Sequence, residues 1–343
     1  MPEINLDGRL VGDGHPPLVI AEIGINHDGD FKKAKQMIDD AHSSNAECVK
    51  FQSHIIEDEM IENDVIPENA SESIWAIMKK CAFSEEQEFE LKDYTKKLGM
   101  IYLNTPFSRA AADRLQKMGI SAFKIGSGEC NNYPLVEHIA KFNKPVILST
   151  GMNTIPSIKK SVDILRKHKV PYALLHVTSL YPTPYEKVRL GALSEMKSIF
   201  PDAVFGLSDH SLGNYACFAS VALGASILEK HFTSDKNWPG PDISLSINPN
   251  ELKELIFGSK AIFQSLGGKK DILNEEKTTS KFAYASVVSI SDIKKNELLT
   301  RENVWVKRPG TGEIRASQFE KIINKKAKFD INKNTQLRWD MID

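Results

Sequence analysis

The chain has 343 residues, 41% of them hydrophobic, enough to bury a substantial core in one large domain plus a small one. Basic and acidic residues nearly balance, 44 against 45, which leaves no electrostatic footprint for nucleic acid or a membrane surface and makes small-molecule chemistry the better default. No apolar run approaches the ~20 residues of a bilayer-spanning helix, the start MPEINLDGRLVGDG has neither a charged nor an apolar leader region, and Cys48, Cys81, Cys130 and Cys217 share no CxxC spacing, so the expectation is a reduced, cytoplasmic protein.

In chain order, short β-branched runs alternate with longer amphipathic stretches. The runs at 18–22, 48–52, 100–104, 122–125, 145–149, 173–177, 204–207 and 226–229 predict eight strands. Helices are predicted between them: one from Phe31, one capped by Ser84 and stopped at Gly99, and one from Ile155 with Pro156 in its first turn. Eight such units fit a closed parallel barrel of roughly 250 residues. A doubly wound open sheet would alternate in the same way. It would gather its ligands at one switch point, however, whereas here nearly every strand ends in a reactive side chain, from Glu22 through Lys50, Thr105, Lys124, Ser149, Thr178 and Ser208 to His231. The convergence favours a (β/α)8 TIM barrel over residues 1–266. A Gly- and Lys-rich linker is expected over 267–282, followed by a small domain over 283–343. That tail holds twelve Lys plus Arg against eight Asp plus Glu, a net of +4. It could cover an anionic substrate, although a solvated charged surface would read the same way.

Three tracts concentrate the chemistry: GSGECNNYP from Gly126, GLSDH ending at His210, and LEKHF around His231. Each follows an apolar run, which places Glu129, His210 and His231 at strand ends, where parallel barrels put their active sites. His210 and His231 end neighbouring strands and could share one ion with water, a carboxylate or substrate in its other positions. Two imidazoles bonded to backbone would give the same pattern. Lys50 and Lys124 follow apolar residues, so each ammonium needs an anionic partner, either a bound phosphate or carboxylate or the side chain of Glu22 or Glu129. Ser127, Ser149 and Ser208, with the amides near Gly126 and Gly128, could complete an anion cradle, and each serine could equally be a turn residue. Glu22 and Glu129 are the candidate acid-base groups, with a salt bridge as the alternative role. Asn131 and Asn132 suit sugar hydroxyls and also suit turns.

Together, EIGINHDGD, KFQSHIIEDEM, NTPFSR, KIGSGECNNYP, LSTGMN, YPTPY, GLSDH, LEKHF and PGPD resemble the bacterial N-acetylneuraminate (sialic acid) synthases over nearly the whole chain. The tail around NVWVKRPGTGEI resembles their antifreeze-like (SAF, β-clip) domain. The resemblance implies condensation of phosphoenolpyruvate with open-chain N-acetylmannosamine, with release of phosphate, on a divalent metal such as Mn2+ or Mg2+. By the same resemblance, His210 and His231 are metal ligands, and Lys50, Lys124, Ser127, Ser149 and Ser208 bind phosphoenolpyruvate. Glu22 and Glu129 are the essential carboxylates, while Asn69, Thr105, Tyr181 and Asp242 surround the substrates. Arg308 would come from the other subunit of a domain-swapped homodimer. One departure stands out, because KFQSH carries Phe51 where many neuraminate synthases have histidine. Phe at that position also occurs in synthases of related nonulosonic acids such as legionaminic acid, made from a 2,4-diacetamido-6-deoxy sugar, whereas GECNNYP favours neuraminate. A Schiff-base aldolase working through Lys50 or Lys124 is a metal-free alternative.

Overall fold

The computed structural model describes residues 1–343, which form two compact units, Met1–Gly267 and Gly268–Asp343. The first opens with a hairpin absent from the sequence expectations, β1 (Glu3–Leu6) and β2 (Arg9–Gly12). Asp7 and Gly8 turn it with φ of 52° and 89°, the paired positive values that an Asp-Gly hairpin turn supplies.

Eight parallel strands follow: β3 (Leu18–Gly24), β4 (Cys48–Ser53), β5 (Ile101–Pro106), β6 (Phe123–Ile125), β7 (Val146–Ser149), β8 (Tyr172–Val177), β9 (Val204–Asp209) and β10 (Ile227–His231). They pair in the order β5-β4-β3-β10-β9-β8-β7-β6, and β5 runs alongside β6 to close the ring. This is the TIM-like barrel that the strand-end residues suggested. The helices of this unit are α1 (Phe31–Ser43), α2 (Ile56–Glu59), α3 (Ile74–Cys81), α4 (Glu85–Lys97) and α5 (Arg109–Met118). They continue with α6 (Tyr133–Ala140), α7 (Ile155–Lys167), α8 (Gly191–Ile199), α9 (Tyr215–Ala222) and α10 (Pro249–Ser265). Ser84 caps α4 through a reciprocal bond with Gln87, as the sequence suggested.

Period-two alternation sorts the strand residues between two cores. Leu18, Ile20, Leu103, Ile147, Leu175 and Ile227 fill the barrel interior together with Ile4, Leu6 and Val11, so the hairpin plugs the N-terminal end of the barrel. Val19, Val49, Phe123, Leu174, Phe205 and Leu228 point outward into the helical layer. At the C-terminal end the interior positions become polar. All four cysteines are free and buried.

In the second unit, the stretch expected as a linker holds a single turn of 3-10 helix at Asn274–Glu276 and leads into α11 (Lys277–Ala283). An antiparallel pair, β11 (Ser286–Ser289) and β12 (Val304–Lys307), encloses a small core of Val287, Leu299, Val304, Ile314, Ile322 and Leu337. The ASQFEKII helix candidate is 3-10 over Ala316–Lys321.

Candidate active site

At the inner ends of the strands lies a cluster of four buried charges. Lys50 Nζ stands 2.8 Å from Glu22 Oε2 and 3.8 Å from Glu229 Oε1, and it donates to Thr105 Oγ1 at 3.1 Å. Lys124 Nζ stands 3.7 Å from the same Glu229 oxygen and donates to Ser149 Oγ at 2.6 Å. Ser208 Oγ donates to Glu229 Oε1 at 3.1 Å. Strand parity explains this convergence, since Glu22, Lys50, Thr105, Lys124, Ser149, Ser208 and Glu229 each continue the inward face of their strand. Glu229 has no place in the sequence expectations, yet it touches both lysines. The usable signal was its spacing of two from His231, which puts both side chains on one face of β10.

Burial and charge pull the protonation of this cluster in opposite directions. Burial raises the Glu22 carboxyl to about 7 against the opposing pull of Lys50. Burial likewise lowers the Lys124 ammonium to about 8, with Glu229 resisting. Burial would raise Glu229 too, but Lys124 and Lys50 outweigh it and hold the carboxylate below its usual range. Lys50 is raised, because Glu22 and Glu229 overcome its burial.

Glu129 stands apart from this cluster. It was expected at a strand end near a lysine, but β6 stops at Ile125 and Glu129 lies in the turn that follows. Its Oε2 accepts from Asn132 Nδ2 at 2.5 Å, and burial raises its carboxyl only against that bond. Asn132 is the N-cap of α6, so its turn-forming role accounts for it. Phe51, which stands where many neuraminate synthases have histidine, lies outside this cluster as well. Strand alternation turns it outward, where it stacks on Tyr102 with ring centroids 5.7 Å apart. The departure from the family pattern at that position therefore does not reach the site.

Above the cluster opens a cavity of about 520 Å3 whose lining includes Gln52, Asn69, Phe107, Tyr181, His231 and Asp242, with an apolar wall of Ile25, Ile74, Ile77 and Met78. No lysine or arginine is among its lining residues. Gln52 links the two layers by donating to Glu22 Oε1 at 3.2 Å while its own carbonyl faces His54 Nε2 at 3.1 Å. Asn69 donates to the Pro241 carbonyl at 3.0 Å and reaches Asp242 Oδ1 at 3.4 Å. Burial raises the Asp242 carboxyl to about 6. Ser127 accepts from the Gly151 amide at 3.0 Å. A Cβ at Gly151 would collide with the hydroxyls of Ser179 and Ser127, so glycine alone lets the backbone approach this edge.

The two histidines face each other with ring centroids 5.4 Å apart, and Tyr181 stacks on His210 at 4.2 Å. His210 Nδ1 lies 3.1 Å from the Thr178 carbonyl and must donate to it, which leaves Nε2 as a free lone pair. His231 Nδ1 is buried without a hydrogen-bond partner, 3.7 Å from Asp242 Oδ2. Burial lowers the first imidazole to about 4 and lowers the second as well, so both are neutral near pH 7. Two neutral imidazoles with unspent nitrogens suit a divalent cation, although no group of three His, Cys, Asp or Glu side chains gathers there. Arg308 is exposed in the second unit, immediately after β12.

Residues 37–271 match the model of the NeuB family and residues 284–343 that of the SAF domain. The chain is 37% identical to the N,N'-diacetyllegionaminic acid synthase of Campylobacter jejuni over 90% of its own length and 95% of that protein. It is 33% identical to the human N-acetylneuraminate-9-phosphate synthase over 98% of its length and 95% of that protein. The crystal structure of the N-acetylneuraminic acid synthetase of Leptospira borgpetersenii superposes with a TM-score of 0.74 at 33% identity, covering 81% of this chain and 94% of that one. The parallel barrel with its polar mouth is thus that of the sugar acid synthases, and the chain belongs to the NeuB family, with a SAF domain following the barrel.

Proposed function

We propose that the protein is an N-acetylneuraminate synthase, condensing phosphoenolpyruvate with N-acetylmannosamine and water to give N-acetylneuraminate and phosphate. The observation that carries this reading is the layering of the barrel mouth: two lysines held ready by carboxylates at depth, and a sugar-sized cavity with Asn69, Tyr181 and Asp242 in its lining above them. Lys50 and Lys124 would bind the phosphate and carboxylate of phosphoenolpyruvate, with Thr105, Ser127, Ser149 and Ser208 as hydroxyl partners. Asn69, Tyr181 and Asp242 would orient the open-chain sugar so that its aldehyde carbon meets the methylene carbon of phosphoenolpyruvate. His210 and His231 would hold Mn2+ or Mg2+, whose contribution is Lewis-acid polarisation of an aldehyde oxygen. As the new carbon-carbon bond forms, the aldehyde oxygen takes up a proton to become a hydroxyl, water adds to C2 and loses a proton, and the resulting C2 hydroxyl gives up its own as phosphate leaves and the ketone appears. Glu22 would take the proton from water, with Glu129 as the second carboxylate.

Within this chain the cavity offers Gln52, Asn69, Tyr181 and Asp242 to a polyhydroxylated acceptor. Its apolar wall gives a second reading some support, since Ile74, Ile77 and Met78 suit the 6-deoxy carbon of a 2,4-diacetamido sugar. The deciding experiment offers phosphoenolpyruvate and Mn2+ with N-acetylmannosamine, its 6-phosphate and the diacetamido analogue in separate reactions, and identifies each acid by mass spectrometry. Preferred turnover of the analogue would move the assignment to a legionaminic acid synthase, and a borohydride-trapped lysine adduct would move it to an aldolase.

The same assignment sets a pH profile. kcat/KM is expected to rise as Glu22 ionises through about 7 and to fall as Lys124 loses its proton above about 8, a narrow bell. Its acid limb should vanish in Glu22→Gln, a loss read from residual turnover across pH. The SAF domain enters the proposal through a domain-swapped homodimer in which Arg308 completes the partner's site. Mixing inactive Arg308→Ala and Glu129→Ala proteins should then restore activity once subunits exchange, as followed by native mass spectrometry. Exchange without recovery would place Arg308 in its own chain's service. Four buried free cysteines suit the cytoplasm as the working compartment.

A further inference from the structure

Directly before each of the two histidines stands a charged residue that the chemistry above does not use. Alternation turns Ser208, Glu229 and His231 into the barrel, so Asp209 and Lys230 point the other way, into the helical layer, where they are 2% and 0% exposed. The parallel register places them side by side, Lys230 opposite Asp209. Lys230 Nζ lies 2.6 Å from Asp209 Oδ2 and also donates to the Ser211 carbonyl. Asp209 in turn accepts from Ser211, its Oδ1 from the backbone N–H at 2.9 Å and its Oδ2 from the hydroxyl at 3.0 Å, and Oδ2 also accepts the Cys217 thiol at 3.7 Å. A single lysine on β10 therefore grips Asp209, the last residue of β9, and Ser211, the two residues that flank His210, while its own next residue is His231.

A buried ion pair is a poor way to gain stability, because well-packed apolar residues of similar volume would serve as well or better. What a directional pair does provide is a fixed geometry between the strands it joins. We infer that Asp209 and Lys230 form a positioning clamp that fixes the separation and tilt of the His210 and His231 rings and thereby sets the affinity of the site for a divalent cation. The inference rests on the reading that those two histidines bind the metal. Outer partners that orient metal-binding side chains are worth about 10- to 100-fold in affinity.

The test replaces the pair by a neutral one of similar size, Asp209→Asn with Lys230→Met, in the full-length protein. Fold is checked by circular dichroism and the thermal midpoint, Mn2+ affinity is measured by titration, and the coordination geometry is read from the visible spectrum of the Co2+ form. The clamp predicts a folded protein whose Mn2+ dissociation constant rises about 10- to 100-fold, with an altered Co2+ spectrum and unchanged phosphoenolpyruvate binding in the metal-free state. A folded double variant with wild-type Mn2+ affinity and an unaltered Co2+ spectrum would overturn it. Should the double variant not fold, Lys230→Gln is the second probe. Its side chain is one bond shorter and reaches Asp209 or the Ser211 carbonyl but not both, so weakened binding supports the clamp and wild-type binding overturns it. His210→Ala separates the two levels of the argument. If it abolishes Mn2+ binding while the clamp variants bind normally, the metal reading stands and the clamp fails. If it binds Mn2+ as well as wild type, the metal reading fails and takes the clamp with it.

Discussion

Changing Glu229 to glutamine is expected to destabilise the ligand-free protein by about 3–5 kcal/mol, the usual cost of leaving buried charge without its partner. Glu229 Oε1 is the one carboxylate oxygen near both lysines, at 3.8 Å from Lys50 and 3.7 Å from Lys124. Without its charge, two buried ammoniums share Glu22 alone. An anion bound by those lysines would replace what was lost, so saturating inorganic phosphate should return part of the thermal midpoint in Glu229→Gln and change wild type less. kcat/KM for phosphoenolpyruvate should fall about 100-fold, in the range seen when one preorganised electrostatic contact is removed. A variant melting at the wild-type temperature with and without phosphate would show that Glu229 does not balance the cluster.

Alanine at His210 or His231 should lower turnover by about 1,000-fold or more, since loss of a Lewis acid removes several kcal/mol of stabilisation from the reacting carbonyl. The fold should survive. Both rings sit at the mouth of the barrel, outside the two apolar cores. Phosphate release from phosphoenolpyruvate, measured with and without EDTA, checks the prediction. Chelation should bring wild type down to the level of the variants and leave the variants unchanged. Metal-dependent turnover persisting in both variants would mean that the ion sits elsewhere.

The barrel was legible because its strands end in reactive side chains, and alternation between apolar and polar residues is a local signal. The placement of Lys50, Thr105, Lys124, Ser149 and Ser208 on one inner surface follows from that signal together with the parallel register. Glu229 was not legible as a partner of the lysines, because its closeness to Lys124 depends on closure across the ring and not on spacing along the chain. Phe51 and Lys50 are neighbours in sequence on opposite sides of a strand, so a departure from the family pattern next to Lys50 need not be a change in the site. Glu129 was placed at a strand end because an apolar run precedes it, but β6 is only three residues long and a turn intervenes. The β1–β2 hairpin carried its own signal, Asp-Gly between two short runs with buried alternate positions, in a segment weighed only for leader features.

That hairpin has a kinetic consequence. With Ile4, Leu6 and Val11 packed beneath an interior already filled by the strands' own side chains, the lysines are reached from the C-terminal mouth. Whatever lodges at the lysines must arrive before the sugar occupies the space above, and it cannot depart until that space clears. On the proposed chemistry this imposes a compulsory sequence, with phosphoenolpyruvate first, the sugar second, and the deep-lying phosphate waiting behind the finished acid. Inorganic phosphate should therefore compete with phosphoenolpyruvate for the empty enzyme, while the sugar should add only to a site whose lysines are already occupied.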